Sequence, residues 1–139
     1  LHKFSHAKEL MRVADRMSIK AALLSKEQGC KYILAALEKY KPWKTEGHLS
    51  IGEDANSLST DDYEFSFSLS MESVPAFIFF EQNYINECNV VVVDDAKNIS
   101  SLMGNSHGME YFISDESLSF LISVNWYVIE YTGDIDLSK

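Results

Sequence analysis

Positive charge almost disappears from this chain after Lys44. Ten of its 12 Lys and Arg lie in residues 1–44, with only four of its 21 acids, so the remaining 95 residues hold two lysines, Lys97 and Lys139, against 17 Asp and Glu. The first part is thus +6 and the second −15, within a total of −9. A segment that acidic repels phosphate backbones, which excludes direct nucleic-acid binding by residues 45–139 and favours a basic partner. Other scarcities exclude more. There are only two cysteines, Cys30 and Cys88, too few for a small stapled scaffold, so two reduced, buried thiols and a cytoplasmic protein are expected. The longest apolar runs, Ala76 to Phe80 and Val90 to Val93, fall far short of the roughly 20 residues that span a bilayer, so no membrane partner is expected. The opening LHKFSHAKEL has no apolar core followed by a small-residue cleavage site, so no export signal is expected in it. No GxSxG, CxxC, HExxH or glycine-rich phosphate loop occurs, and neither an enzyme nor a cofactor is expected.

What is present suits one folded domain. Its 139 residues are 46% hydrophobic, with eight Phe, seven Tyr and two Trp, enough for a single core across residues 1–139. Ser5 caps a predicted helix whose apolar positions Leu10, Ala14, Met17, Ala21 and Leu24 recur at spacings of four and three. Ser25-Lys26-Glu27-Gln28 has the form of a capping box and opens a second helix, with Cys30, Ile33, Leu34 and Leu37 inward, that must stop at Pro42. Gly29 weakens its first turn. Residues 44–62, rich in Gly, Ser, Asp and Asn, predict a long connection. Then the period becomes two: Tyr63, Phe65, Phe67, Leu69 and Met71 alternate with Glu and Ser, predicting a strand with one wet face. Further strands are predicted at Ala76–Glu81, Cys88–Val93, Met109–Ile113 and Trp126–Thr132, with a short helix over Asp95–Met103; Leu118–Val124 is ambiguous. Residues 1–43 are therefore helical and 63–139 mainly β. The expected class is α+β: two N-terminal helices packed against one face of a mainly antiparallel sheet of four to six strands.

The stretch NVVVVDDAKN raises the question of chemistry. Two aspartates at the end of a buried strand could accept a phosphoryl group, but the only Lys after Lys97 is the terminal Lys139, which leaves no basic side chain after a later strand to hold one, and the order of elements is not βαβ. Asp95-Ala96-Lys97 also fits half of a metal-dependent nuclease site, with carboxylates on Mg²⁺ and the lysine beside the attacking water. That reading needs an upstream acid (Glu72, Glu81 or Glu87) and a basic surface that this part of the chain lacks. The simpler role for Asp94 or Asp95 is to cap the helix that follows. His2 and His6 stand four apart, as two metal ligands on one helix face would. His107 and Cys88 form a conceivable thiol–imidazole pair that nothing in the sequence brings together.

The stretch Met109 to Asp134, MEYFISDESLSFLISVNWYVIEYTGD, has a strand ending in Asp, an aromatic-rich segment and a final strand ending in Thr-Gly. In that order of parts it is similar to small bacterial immunity proteins of polymorphic toxin systems, above all those of contact-dependent growth inhibition. The resemblance implies a cytoplasmic, non-enzymatic antidote that covers the active or substrate-binding surface of its cognate toxin. A basic nuclease toxin would suit the charge asymmetry, because complementary charge speeds encounter and aromatics flanked by acids supply binding energy. The candidate contacts are Asp61, Asp62, Asp94, Asp95, Glu110, Asp115, Glu116, Trp126, Glu130 and Asp134. An acidic adaptor domain for another basic partner is the alternative, and a Mg²⁺-dependent nuclease using Asp95 and Lys97 a second.

Overall fold

In the computed structural model, which describes residues 5–138, the chain is an α+β domain built on one antiparallel sheet. The elements are α1 (His6–Arg16), β1 (Ala21–Leu23), α2 (Lys26–Tyr40), β2 (Asn56–Ser59), α3 (Thr60–Tyr63), β3 (Ala76–Phe80), β4 (Val90–Val93), α4 (Ile99–Gly104), β5 (Tyr111–Ser114), β6 (Phe120–Val124) and β7 (Val128–Gly133). Seven strands, more than the expected four to six, lie in the order β1-β4-β3-β5-β6-β7-β2. Every neighbouring pair is antiparallel.

Both faces of this sheet are apolar, and each needs a cover. One face carries Ile78, Phe80, Val91, Val93, Tyr111, Ile113, Ile122, Val124 and Ile129. Against it pack Leu10, Val13 and Ala14 of α1 and Ile99 and Leu102 of α4, with Phe67, Met71 and Leu137. The opposite face carries Phe79, Val90, Phe112 and Leu121, covered by Ile33 and Ala36 of α2 and by Leu49 of the long connection. The two N-terminal helices therefore sandwich the sheet, where packing on a single face was expected. The cause is the strand between them. Helix α1 stops at Arg16, Ser18 takes a left-handed turn (φ 59°), and Ala21–Leu23 pairs with β4, which carries the chain across the sheet edge before α2 begins.

Local chemistry fixes both helices where it was expected to start them. The Ser5 hydroxyl accepts from the Lys8 amide at 3.2 Å. At α2 the capping box is complete: Ser25 Oγ accepts from Gln28 N and Gln28 Oε1 from Ser25 N, at 3.1 and 3.2 Å. The helix ends at a left-handed Lys41 just before Pro42. Leu34, expected inside, is 60% exposed, because α2 instead presents Tyr32 and Tyr40, whose hydroxyls donate to the carbonyls of Asp115 and Leu118 at 2.6 and 2.7 Å.

The predicted strand Tyr63–Met71 does not form. Its alternation is real, but the burial runs against it: Phe67 and Met71 are inside, Ser68 is also buried, and Phe65 and Leu69 are 61% and 64% exposed. Ser68 decides the matter. Its amide donates to Ser100 Oγ (3.1 Å), while its hydroxyl accepts from the Ser100 amide (3.0 Å) and donates to the Lys97 carbonyl (2.9 Å), so residues 67–70 coil as a 3₁₀ turn against α4. The missing strand is supplied from the connection, where Asn56–Ser59 pairs with β7 as an edge. Of Leu118–Val124, Phe120–Val124 forms β6, and Asp95–Met103 is a 3₁₀ turn leading into α4.

Both cysteines depart from expectation. Cys30 and Cys88 are joined in a disulfide that closes 58 residues between α2 and the segment before β4, so neither is a reduced thiol. Gly29 explains its own presence here. A Cβ at that position would collide with the Cys88 carbonyl oxygen, so only glycine lets the helix approach closely enough for the bridge. The expectation of a cytoplasmic protein rested in part on free thiols, and that ground is removed. No helix among the described residues is long and apolar enough to cross a membrane.

A bridge closing a loop of this length should contribute about 4 kcal/mol by restricting the unfolded chain. Urea denaturation with and without reductant should show a loss of that order, matched by Cys30→Ala/Cys88→Ala. Equal stability in both conditions would show that the bridge does not form.

Candidate functional site

The topology sorts the candidate residues between the two ends of the sheet. At one end β4 and β5 finish in Asp94-Asp95 and Asp115-Glu116, β7 finishes at Gly133-Asp134, and β3 begins after Glu72. A cleft of about 560 Å³ opens there, lined by Glu72, Asp115, Asp134 and Asp136. Five of the predicted contacts, Asp94, Asp95, Asp115, Glu116 and Asp134, thus come to one acidic end.

Two of these carboxylates are already occupied by the fold. Asp115 accepts from the Ser119 amide at 2.8 Å and from the hydroxyls of Ser117 and Ser119, building the β5–β6 turn. Partial burial pushes its carboxyl up, but the bonds from Ser119 and Ser117 outweigh it and hold it below the usual aspartate range. Asp95 Oδ1 accepts from the Lys97 amide at 3.0 Å, while Lys97 Nζ reaches the Leu69 carbonyl at 2.9 Å. The aspartate and lysine of the nuclease-like motif therefore serve a cap and a turn. Asp94 lies 3.7 Å from Lys20 at the surface.

Glu110 and Glu130 have a different task. Glu110 is 8% exposed and accepts from the amides of Leu49 (3.0 Å) and Trp126 (3.3 Å), with His48 Nδ1 at 2.8 Å. Glu130 Oε1 accepts from the Ser50 hydroxyl and the Ile51 amide at 3.0 and 2.7 Å. Asn125 adds a third tie, Nδ2 to the Leu49 carbonyl at 2.9 Å. These side chains pin the strap 48–51 over the second sheet face and seat Leu49 in the core.

The other end of the sheet carries the remaining candidates and several residues that sequence reasoning missed. The turn before β7 is shaped by Asn125, whose Oδ1 accepts from the Tyr127 and Val128 amides at 2.8 and 2.9 Å. Thr60 locks α3 onto that turn: its hydroxyl donates to the Asn125 carbonyl (2.9 Å) and its amide to the Tyr127 carbonyl (3.2 Å). Asp61, Asp62 and Tyr63 of α3, followed by Glu64 and Phe65, are thereby fixed beside Trp126 and Tyr127. Four aromatics stay in water here, Tyr63 (44%), Phe65 (61%), Trp126 (45%) and Tyr127 (71%). Such a group is rare on a surface without a partner. A pocket of about 240 Å³ separates Phe65 from Trp126, with Glu64 and Tyr111 among its walls. Burial, with Asp61 adding to it, pushes the Glu64 carboxyl up. The sequence signal was there in Asp-Asp-Tyr-Glu-Phe, acids interleaved with aromatics, but the alternation led to a strand.

Three histidines gather at this same end. His6 Nδ1 and His107 Nε2 are 3.2 Å apart, and His48 shares a cleft with His6, Glu81 and Glu110. Burial and the neighbouring His107 depress the His6 imidazole, against Glu81. Glu9 accepts from Arg12 and from the His107 amide, at 2.8 and 3.0 Å. Burial raises the Glu9 carboxyl, but those bonds carry it below its ordinary value. Among the described residues no three His, Cys, Asp or Glu converge as metal ligands would, and His2 lies outside them. The thiol half of the imagined Cys88–His107 pair is bonded to Cys30.

Compared with known proteins, the chain matches no family model, no curated protein and no solved structure at a significant level.

The ties just described set two expectations. Glu110→Gln should loosen the strap, costing about 1–3 kcal/mol and speeding amide exchange at Leu49 and Ile51 while the β3–β5 amides stay protected in native conditions. Asp115, whose carboxyl is depressed in the folded state, stabilises the fold above the ordinary aspartate range, and that contribution is lost as pH falls through its depressed value. Asp115→Asn should therefore cost about 1 kcal/mol near pH 7, with the gap to wild type closing in urea melts at the acid end. A gap independent of pH would refute the assignment.

Proposed function

We propose that this chain is a non-enzymatic immunity-type protein that binds a basic toxin domain, a nuclease, and covers its substrate-binding surface. The observation that carries this reading is the surface around α3 and the turn before β7, where four solvent-exposed aromatics stand among Asp61, Asp62 and Glu64. Aromatic anchors rimmed by charge are the usual composition of a protein interface centre. Asp61, Asp62 and Trp126 contact the partner there. Glu110 and Glu130 support the surface through the strap and turn. The acidic end of the sheet supplies a field that steers a basic protein and raises its encounter rate. The resemblance of Met109 to Asp134 to immunity proteins supports the same choice, and the spread of negative charge leaves nucleic acid itself unattractive.

The Cys30–Cys88 bridge bears on where the encounter occurs, because disulfides persist in oxidising compartments. Alkylating thiols in intact cells reads the compartment directly. Trapped thiols place the antidote in the reducing cytoplasm beside the nucleic acid that the toxin attacks, and protected ones place it where the toxin is in transit.

Affinity capture from the native host should recover a basic toxin domain encoded beside this chain, and expression should protect cells from it. With that toxin, Glu116→Lys/Asp134→Lys should slow association about tenfold at low salt, an effect that fades by about 0.5 M. Tyr127→Ala should act on dissociation instead. No neighbouring toxin and no protection from any would end the proposal.

A further inference from the structure

The pocket between Phe65 and Trp126 has features that a flat aromatic patch lacks. Tyr111 is fully buried on β5, is among the residues that line this pocket, and its hydroxyl has no hydrogen-bond partner among the described residues. Buried hydroxyls are nearly always partnered. Glu64, which also lines the pocket, forms no ion pair among the described residues, and Asp61, of like sign, acts on its carboxyl. Two glycines make room for the rings: a Cβ at Gly104 would touch Phe65 at 3.4 Å, and one at Gly108 would press on Trp126 at 3.1 Å. Met103 and Met109 complete the apolar lining, and His107 stands at the rim.

We infer that this pocket receives one cationic side chain of the protein partner, an arginine by preference, with its guanidinium between the Phe65 and Trp126 rings, the Glu64 carboxylate as counter-charge and the Tyr111 hydroxyl as acceptor. The inference rests on the reading that the partner is a basic protein. Each part of the pocket suits that occupant. Aromatic faces attract cations, most strongly once water is excluded. An apolar plug would cover the carboxylate without a partner and leave the hydroxyl as it is, whereas the five N–H donors of a guanidinium can serve both. An acidic side chain would be repelled by Glu64 and Asp61. About 240 Å³ accommodates a guanidinium and its stem. The acidic cleft at the other end of the sheet has no comparable group: its carboxylates are not backed by a buried, unpartnered atom.

The test uses the full chain and the peptide acetyl-Gly-Arg-Gly-amide, with acetyl-Gly-citrulline-Gly-amide as its neutral isostere. In NMR titrations the arginine peptide should shift the Trp126 indole N–H and the Gly104 and Gly108 amides saturably, at a Kd on the order of millimolar. The citrulline peptide should bind at least tenfold more weakly. Glu64→Gln and Phe65→Ala, both at exposed or half-buried positions, should keep the wild-type thermal midpoint and lose at least tenfold in affinity. Equal binding of both peptides, shifts confined to the Asp115–Asp134 cleft, or unchanged affinity in Glu64→Gln would each overturn the inference. Two outcomes separate it from the functional proposal. A captured basic toxin bound equally by wild type, Glu64→Gln and Phe65→Ala removes the arginine pocket and leaves the antidote reading standing. Saturable arginine binding in a chain that captures no basic protein removes the antidote reading and leaves the pocket.

Discussion

Everything in this fold depends on the central sheet being apolar on both faces. Antiparallel sheets commonly bury one face and wet the other, but β3 to β6 place Ile78, Val91, Ile113 and Ile122 on one side and Phe79, Val90, Phe112 and Leu121 on the other. Two covers are then obligatory. The first is helical, from α1 and α4. The second is α2 supplemented by a strap of irregular chain whose backbone amides would lose water on contact with the sheet. Glu130 on β7, with Glu110 just before β5 and Asn125 just after β6, accepts from or donates to that strap, which is why two acids stand at an otherwise apolar sheet.

The same constraint explains which parts of the structure were legible in the sequence. Features set by local chemistry were readable: the Ser25–Gln28 capping box, the stop before Pro42, the valine run of β4, the cap at Asp95. Features set by what lies across the core were not. Tyr63–Met71 alternates as a strand would, yet Ser68 finds Ser100 and Lys97 as partners, and three hydrogen bonds outweigh a period. The helical spacing from Leu10 to Leu24 continues through β1 because a short edge strand, with Ala21 half-buried and Ala22 exposed, leaves little trace in a pattern of apolar residues. Asn56–Ser59 carries almost none of the β-branched or aromatic content that marks a strand, being held by β7 alone.

Legibility of the site divides along the same line. Acidity could be counted, and the acids of the strand ends do collect at one end. Their separate fates could not be counted, since whether a carboxylate meets solvent, a turn or a strap depends on register. Glu130 faces inward because it shares its side of β7 with the strap, while Ile129 and Tyr131 fill the opposite core. Trp126 was visible as an aromatic beside acids, but Phe65 and Tyr111 join it only through the sheet. The disulfide was equally hidden: two cysteines 58 residues apart carry no spacing signature, and the clue, a glycine in the first turn of a helix, reads alone as mere weakness.

The margins of the sheet are as informative as its centre. Its two outermost strands are three and four residues long, one flanked by Lys20 and the other spelled Asn-Ser-Leu-Ser, so neither offers the long, flat ladder on which a second chain could continue the pairing. Recognition by strand addition is thereby disfavoured. Surfaces that present side chains, such as the loops where strands turn, are left for recognition. A protein recognised in that way can change its partner by exchanging a few loop residues while the sheet that carries them stays the same.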